Sequence, residues 1–283
     1  MDLQHSEFGW KSSDGLEIFA QLWQPASKAR AVVCLVHGLG EHSGRYAHVA
    51  EALGQAGYAL LGFDLRGHGR SSGQRGYTPS YKALLDDIGR LIDEAGQRFP
   101  QRPRFLYGHS MGGGQVLNYA LRRWPPIAGV ISASPWLRTA FKPPAWKVTL
   151  GRIMNGLWPS FSMSNGLGQQ YICRDPAVLE ANRGDPLLHN RISARLGVTT
   201  MDAGEWALAH ADEFPLPLLL MHGSADQITS AQASQQFAQQ VPSDCTFKLW
   251  EGLYHETHND PEKEQVLAFV VAWLEGRTPT GNR

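Results

Sequence analysis

The chain has 283 residues, of which 42% are apolar, and its 26 basic side chains balance 26 acidic ones. That length suffices to bury one large core or two modest ones, and a content of 30 Gly and 17 Pro is too low for a disordered, low-complexity or collagen-like chain. Zero net charge leaves no field to recruit a phosphate backbone or an anionic surface, so no nucleic-acid partner is expected.

The N-terminus carries Asp2, Glu7, Lys11, Asp14 and Glu17 instead of the basic-then-apolar layout of a secretory leader, which predicts a cytoplasmic protein. Phe8 to Lys11 and Leu16 to Trp23 flank Ser13-Asp14-Gly15 as the arms of a hairpin, with Gly15 supplying the positive φ of the turn. Ala31 to Val36 is apolar throughout, as a strand buried on both faces must be. The turn His37-Gly38-Leu39-Gly40 and a helix around Arg45 to Gln55 follow. Tyr58 to Phe63 is the next buried strand, ending in a polar, Gly-rich loop over Asp64 to Gly73. Tyr81, Leu84, Leu85, Ile88, Leu91, Ile92, Ala95 and Phe99 recur at helical spacing and predict a one-faced helix. Strands at Arg104 to Tyr107 and Ile127 to Ser132 bracket a helix over Met111 to Trp124.

The alternation fails between Pro135 and Phe214, a stretch rich in Pro, Trp, Met, Asn and Gly, where no buried strand reads clearly and short helices are expected to start near Pro176 and Pro186. Its charge-free run Ile153 to Cys173 is interrupted by Asn155, Gly156, Pro159, Gly166 and Gln169, so it is no membrane span. Beyond it, Leu216 to Met221 with a helix over Ala231 to Gln240, and Thr246 to Trp250 with a helix over Glu262 to Glu275, complete a pattern that predicts an α/β fold with a mostly parallel sheet. The expected organisation is a core of residues 1–134 and 214–283 carrying a mainly helical insertion at 135–213. Thr278 to Arg283 reads as a frayed tail. Cys34, Cys173 and Cys245 lie too far apart for a disulfide framework and fit a reducing compartment.

Gly108-His109-Ser110-Met111-Gly112 matches the pattern G-x-S-x-G. The motif is weak alone, but here a strand feeds it and a helix leaves it, as in a nucleophile elbow, whose tight turn needs small residues on either side of the serine. A serine hydroxyl needs a base, and the base needs a carboxylate to orient it and stabilise its cation. In the order serine, acid, histidine, Asp226 follows the strand in "LPLLLMHGSAD" and His255 follows the next strand in "FKLWEGLYHE". His258, three positions on, is the rival base. His255-Glu256-Thr257-His258 departs from a helical H-E-x-x-H zinc motif because its histidines stand at i and i+3 beside a turn, so neither a metal nor another cofactor is expected. His48, His189 and His210 read as surface or satisfied residues. Two backbone N–H groups must meet the developing oxyanion, and they are read at Met111 in the elbow and Leu39 in the first turn. That turn is no dinucleotide loop, because Gly44 comes one position too late for G-x-G-x-x-G, and no Lys follows a Gly run as a P-loop requires.

The segments "HGLGEHSGRY" (37–46), "FDLRGHGRSSG" (63–73), "GHSMGG" (108–113), "HGSADQIT" (222–229) and "EGLYHETH" (251–258) resemble the monoacylglycerol lipase and lysophospholipase group of the α/β-hydrolase family. The resemblance covers nearly the whole core and implies Ser110 as nucleophile, Asp226 as acid, His255 as base, and Leu39 and Met111 as oxyanion donors. It further implies that Glu41 and Arg45 lie near the polar end of the pocket and that the insertion is a cap over the site. Ser110 at the elbow excludes the dehalogenases and epoxide hydrolases of this fold, which place Asp there. The insertion matches the mammalian members poorly and looks more like bacterial ones. Its Trp136, Phe141, Trp146, Ile153, Met154, Leu157, Trp158, Phe161 and Met163 suit an acyl tunnel, plain core packing, or peripheral contact with a membrane or micelle. The implied activity is hydrolysis of monoacylglycerol, a small lipid ester. Lysophospholipase or general carboxylesterase activity is the nearest alternative, with a C–C hydrolase, a cofactor-free peroxidase or a non-catalytic receptor behind it.

Overall fold

The computed structural model describes residues 3–242 and 244–279. Its chain opens with an antiparallel hairpin, β1 (Leu3–Lys11) and β2 (Glu17–Pro25), paired from Leu3 with Pro25 to Lys11 with Glu17. The hairpin runs further at its open end than the alternation implied. Leu3 holds that end by packing over Gly54, where a Cβ would fall 2.4 Å from its side chain. The chain continues through β3 (Val32–Val36), α1 (Ala47–Gln55), β4 (Ala59–Phe63), α2 (Tyr81–Arg98), β5 (Arg104–His109), α3 (Met111–Arg123) and β6 (Gly129–Ala133). An excursion then forms α4 (Ala145–Leu157), β7 (Ser162–Ser164), α5 (Pro176–Gly184), β8 (Arg191–Ser193) and α6 (Ala194–Ala209). The core resumes with β9 (Leu218–Gly223), α7 (Ala231–Gln240), β10 (Cys245–Trp250) and α8 (Lys263–Glu275).

Eight strands make one sheet in the order β1-β2-β4-β3-β5-β6-β9-β10, parallel from β4 onward. Side chains along β3 alternate between two cores: Val32, Cys34 and Val36 pack with α2, α3 and α7, while Val33 and Leu35 pack with α1 and α8. Burial on both faces is why this strand is uniformly apolar. Because β4 and β5 lie on opposite sides of β3, the chain reverses direction across the sheet there, and a crevice opens beyond the carboxyl ends of β3 and β5.

Two local readings are corrected. Asp175 caps α5 at Pro176 through the Ala177 N–H, but no helix starts at Pro186. There the Asp185 carboxylate accepts the Leu187 N–H and turns the chain instead. Thr278, read as frayed, is buried: its hydroxyl donates to the Leu274 carbonyl and accepts from Tyr58. Residues 280–283 of that tail lie outside the described residues. The excursion also carries one short antiparallel pair, β7 with β8. Among the described residues no helix is long and apolar enough to cross a membrane.

Arg66, just past β4, is buried and fixes three separate segments. Its Nε and Nη2 donate to the two oxygens of Asp87 on α2 at 2.7 and 2.9 Å, and Nη1 donates to Asp14 in the hairpin turn at 2.8 Å. Replacing one partner of a buried pair leaves the other charge stranded, so Arg66→Met is expected to lose about 3–5 kcal/mol in urea unfolding. The double variant Arg66→Met with Asp87→Leu should recover most of that loss, and failure to recover would show that the pair is not the source.

Candidate active site

Ser110 occupies the turn from β5 to α3 with φ 56° and ψ −118°, a positive φ that costs a non-glycine residue about 1–3 kcal/mol. Its neighbours leave the chain no room to relax. A Cβ at position 112 would fall 2.2 Å from the Val36 carbonyl oxygen, and one at position 108 would fall 2.4 Å from that of Gly112. The Ser110 N–H donates to Ala133 on β6 at 2.9 Å, which fixes the turn from the other side.

The structure brings Ser110, His255 and Asp226 into one chain of hydrogen bonds. His255 Nε2 lies 2.8 Å from Ser110 Oγ, and its Nδ1 lies 2.7 Å from Asp226 Oδ2. Oδ1 of Asp226 accepts the N–H groups of Ile228 and Thr229 at 2.7 and 3.1 Å, and the Thr229 hydroxyl sits 2.9 Å from Oδ2. Burial opposes the charge on Asp226, but His255 and His222 outweigh it and hold the carboxyl well below the usual range. Burial likewise opposes a charged His255, yet the Asp226 carboxylate prevails and pushes its pKa up. His258, the rival base, stacks on Tyr46 with ring centroids 4.9 Å apart, and burial followed by His109 and His48 drives its pKa well down. Among the described residues no group of three or more His, Cys, Asp or Glu is placed to hold a metal ion.

Beside Ser110 runs the turn after β3, so close that a Cβ on Gly38 would fall 3.1 Å from the serine Cβ. Oε1 of Glu41 holds this turn by accepting the Gly38 N–H at 2.5 Å and the Tyr46 hydroxyl at 3.1 Å. Among the described residues neither the Leu39 nor the Met111 N–H meets an acceptor within the chain. Arg45 donates from Nη1 to Glu41 and from Nη1 and Nη2 to both oxygens of Glu256, each at 2.7 Å. Burial works against both carboxylates, but His109 and Arg45 hold Glu41 well below the usual range, and Arg45 lowers Glu256. Glu41 and Arg45 line the cavity, with their charges already satisfied by each other and by Glu256. Glu256, His109, Thr229 and His222 were not read as site residues. Only the position of Glu256 beside His255, and of His109 inside the elbow motif, marked any of them.

Ser110 and His255 open into a cavity of about 600 Å³ between the core and the excursion. Trp136, Pro143, Ile192 and Met201 also border a second pocket of about 150 Å³ under α4, whose walls, which include Met154 and Phe161, are almost wholly apolar.

Such a serine is expected to react covalently with a fluorophosphonate at a rate set by His255. Only the neutral imidazole accepts the serine proton, and Asp226 raises the pH at which it becomes protonated, so labelling should fall with acid through a midpoint above the ordinary 6.5. Asp226→Asn removes that support and should lower the midpoint and slow labelling by about 10³-fold or more. Intact-mass labelling between about pH 5 and 9 reads both effects, and a flat profile would contradict the geometry's implication.

Residues 27–262 match the family described as serine aminopeptidase, S33. The chain is 40% identical over 94% of its length to an abhydrolase domain-containing protein of Dictyostelium discoideum, of which it spans only 28%. It is 32% identical to a monoacylglycerol lipase of Mycolicibacterium smegmatis, covering 95% of this chain and 96% of that one. The crystal structure of Paleococcus ferrophilus monoacylglycerol lipase superposes with a TM-score of 0.82 at 36% identity, covering 98% of this chain and all of the other. A family match across most of the chain, a parallel sheet with its switch point at β3, and a serine elbow at that point agree, and the chain belongs to the serine aminopeptidase S33 family of α/β hydrolases.

Proposed function

We propose that this chain is a monoacylglycerol lipase: a serine ester hydrolase that releases a fatty acid from glycerol through an acyl-enzyme on Ser110. The two-ended polarity of the cavity carries the reading. One wall beside Ser110 is built of Glu41, Arg45, His109 and Glu256, and the other end opens toward the apolar pocket under α4. That arrangement matches a long-chain acid joined to a small polar alcohol, and it agrees with the monoacylglycerol lipases among the relatives.

In this mechanism Ser110 Oγ attacks the ester carbonyl carbon while His255 Nε2 takes its proton. The carbonyl oxygen becomes an oxyanion received by the Leu39 and Met111 N–H groups, and losing one such donor costs about 3–4 kcal/mol. Collapse of the intermediate breaks the bond to the glycerol oxygen, which takes the proton from His255 and leaves. Water then attacks the acyl-serine, giving its proton to His255, and the second collapse frees the fatty acid and returns a proton to Ser110. Asp226 holds His255 in the tautomer with the proton on Nδ1 throughout. Residues 135–213 act as a cap that keeps bulk water from the acyl-enzyme.

Fatty-acid release from monoacylglycerol, diacylglycerol, lysophosphatidylcholine and aryl esters tests the reading. Monoacylglycerol is expected to lead, and Ser110→Ala to abolish turnover. If lysophosphatidylcholine leads, or only aryl esters are cleaved, the monoacylglycerol assignment fails and the triad stands.

The substrate is a surface lipid, and one face of the cap fits contact with it. Trp146, Ile153, Leu157 and Trp158 along and just after α4 are 64%, 52%, 80% and 57% exposed, an apolar group suited to an acyl boundary. With no net charge to steer it, the protein should sediment with zwitterionic phosphatidylcholine vesicles in a way that salt barely alters. Trp146→Ser with Leu157→Ser should cut that binding by about tenfold while sparing hydrolysis of a water-soluble aryl ester. Unchanged sedimentation would remove α4 from the interface.

A further inference from the structure

Asp226 Oδ2, the oxygen that holds His255, also meets a second imidazole. His222 ends the run of apolar residues on β9 and is fully buried, with Nε2 3.0 Å from Oδ2 and 3.2 Å from the Thr229 carbonyl. Its Nδ1 lies 2.8 Å from Ser234 Oγ on α7, itself fully buried. The carboxylate and carbonyl oxygens beside Nε2 are acceptors only, so the proton resides on Nε2, and Nδ1 accepts from the Ser234 hydroxyl. A relay of side chains thus runs from Ser234 through His222 and Asp226 to His255 and Ser110.

We infer that His222 is a positioning residue for the hydrolysis, holding Asp226 in place and tempering its pull on His255, with Ser234 fixing the tautomer that allows it. This inference rests on the assignment of Ser110, His255 and Asp226 as the catalytic triad. Two features give such a group a task. His255 changes charge twice in each half-reaction while keeping its Nδ1 proton, so its pull on Asp226 Oδ2 strengthens and slackens through the cycle. The His222 N–H gives that same oxygen a donor outside the proton transfer, beside the Thr229 hydroxyl and the two N–H groups that hold Oδ1. A carboxylate oxygen that already accepts one N–H also attracts a second less strongly. His255 must both accept the serine proton and surrender it to the leaving alcohol, which favours a pKa close to working pH over a maximal one. Glu256, the next residue in the loop, and Glu41, from the turn after β3, act on His255 through space, and the His109 ring packs against it with centroids 4.9 Å apart. Among the described residues no Lys or Arg pairs with Asp226, leaving His222 as the histidine that balances His255 on that carboxylate.

The test is the pH dependence of aryl-ester hydrolysis in the full chain carrying His222→Leu, His222→Gln or Ser234→Ala. His222→Leu keeps the volume and loses the donor. It is expected to lower kcat about tenfold with little change in KM and to move the acid limb of kcat/KM up by about half a pH unit or more. Glutamine restores an N–H toward Asp226, so His222→Gln should recover most of both changes, and Ser234→Ala should shift the limb in the same direction by less. A leucine variant whose limb is unmoved, or a glutamine variant no better than leucine, overturns the inference. Should the leucine variant fail to fold by circular dichroism, Ser234→Ala decides, and its unmoved limb overturns the inference equally. Ser110→Ala runs beside them: activity surviving in it sinks the triad assignment, whereas a dead Ser110→Ala with an unmoved limb in the others sinks only the role of His222.

Discussion

Ser110 keeps its positive φ because the sheet is already closed around it. Val36 at the end of β3, Gly108 and His109 at the end of β5, and Ala133 at the end of β6 approach from three sides, and Gly112 is the one residue type that clears the β3 carbonyl. The strain is small against the energy of a full α/β core, and it projects the serine side chain out of the turn toward the loops after β3, β9 and β10. Those loops all leave carboxyl ends of parallel strands. A hydroxyl at the switch point is thereby within reach of His255 and Asp226, side chains delivered by strands far away in the chain, with no further adjustment of the core.

Polar groups buried beneath the serine answer a second demand, that two loops far apart in the chain keep a fixed separation. Glu41 ties the turn after β3 to itself through Gly38 and to the elbow through His109, whose other ring nitrogen lies 3.3 Å from the His255 carbonyl oxygen. Arg45 clamps Glu41 to Glu256, the residue next to His255. Burying three charges in this way stabilises little, since desolvation offsets most of the attraction. Its effect is geometric: on the proposed chemistry, the turn bearing one oxyanion donor and the loop bearing the base cannot drift apart without exposing an unpaired charge. Apolar packing could fill the same space but could not set that distance, because it lacks direction.

The parallel core was legible because its constraints are local. A strand buried on both faces must be apolar, and a helix against a sheet must repeat at 3.6 residues, so β3 to β6 and α2 lie within a few residues of their expected limits. Ser110, Asp226 and His255 stood out for the same reason, each lying in the turn or loop that leaves a strand. Partners that meet across the fold left no such trace. Nothing in "HGSAD" distinguishes a histidine turned toward the aspartate from one turned into the core, and the spacing of "HETH" argues against a metal motif without showing that Glu256 faces Arg45. His258 differs from His255 only in where the loop turns it, against Tyr46 instead of Ser110. In the insertion, the helix expected at Pro186 gives way to a turn because that segment is shaped by contact with the core.

That contact shows how the insertion is joined to the chemistry. The His189 N–H donates to the Gly40 carbonyl at 2.9 Å, the His42 ring meets Asp185 at 2.7 Å, and the Glu256 N–H donates to the Ile172 carbonyl at 2.8 Å. Each bond ends on the turn after β3 or on the loop holding His255, the two segments that Arg45 clamps from below. Backbone groups left open at an enzyme's loops would otherwise be met by water; here the insertion meets them. The same segment that supplies the apolar pocket under α4 also completes the hydrogen bonding of the turn and loop around Ser110. Displacing it therefore unpins both at once, and on the proposed chemistry this couples the enclosure of the acyl chain to the alignment of Ser110 and His255.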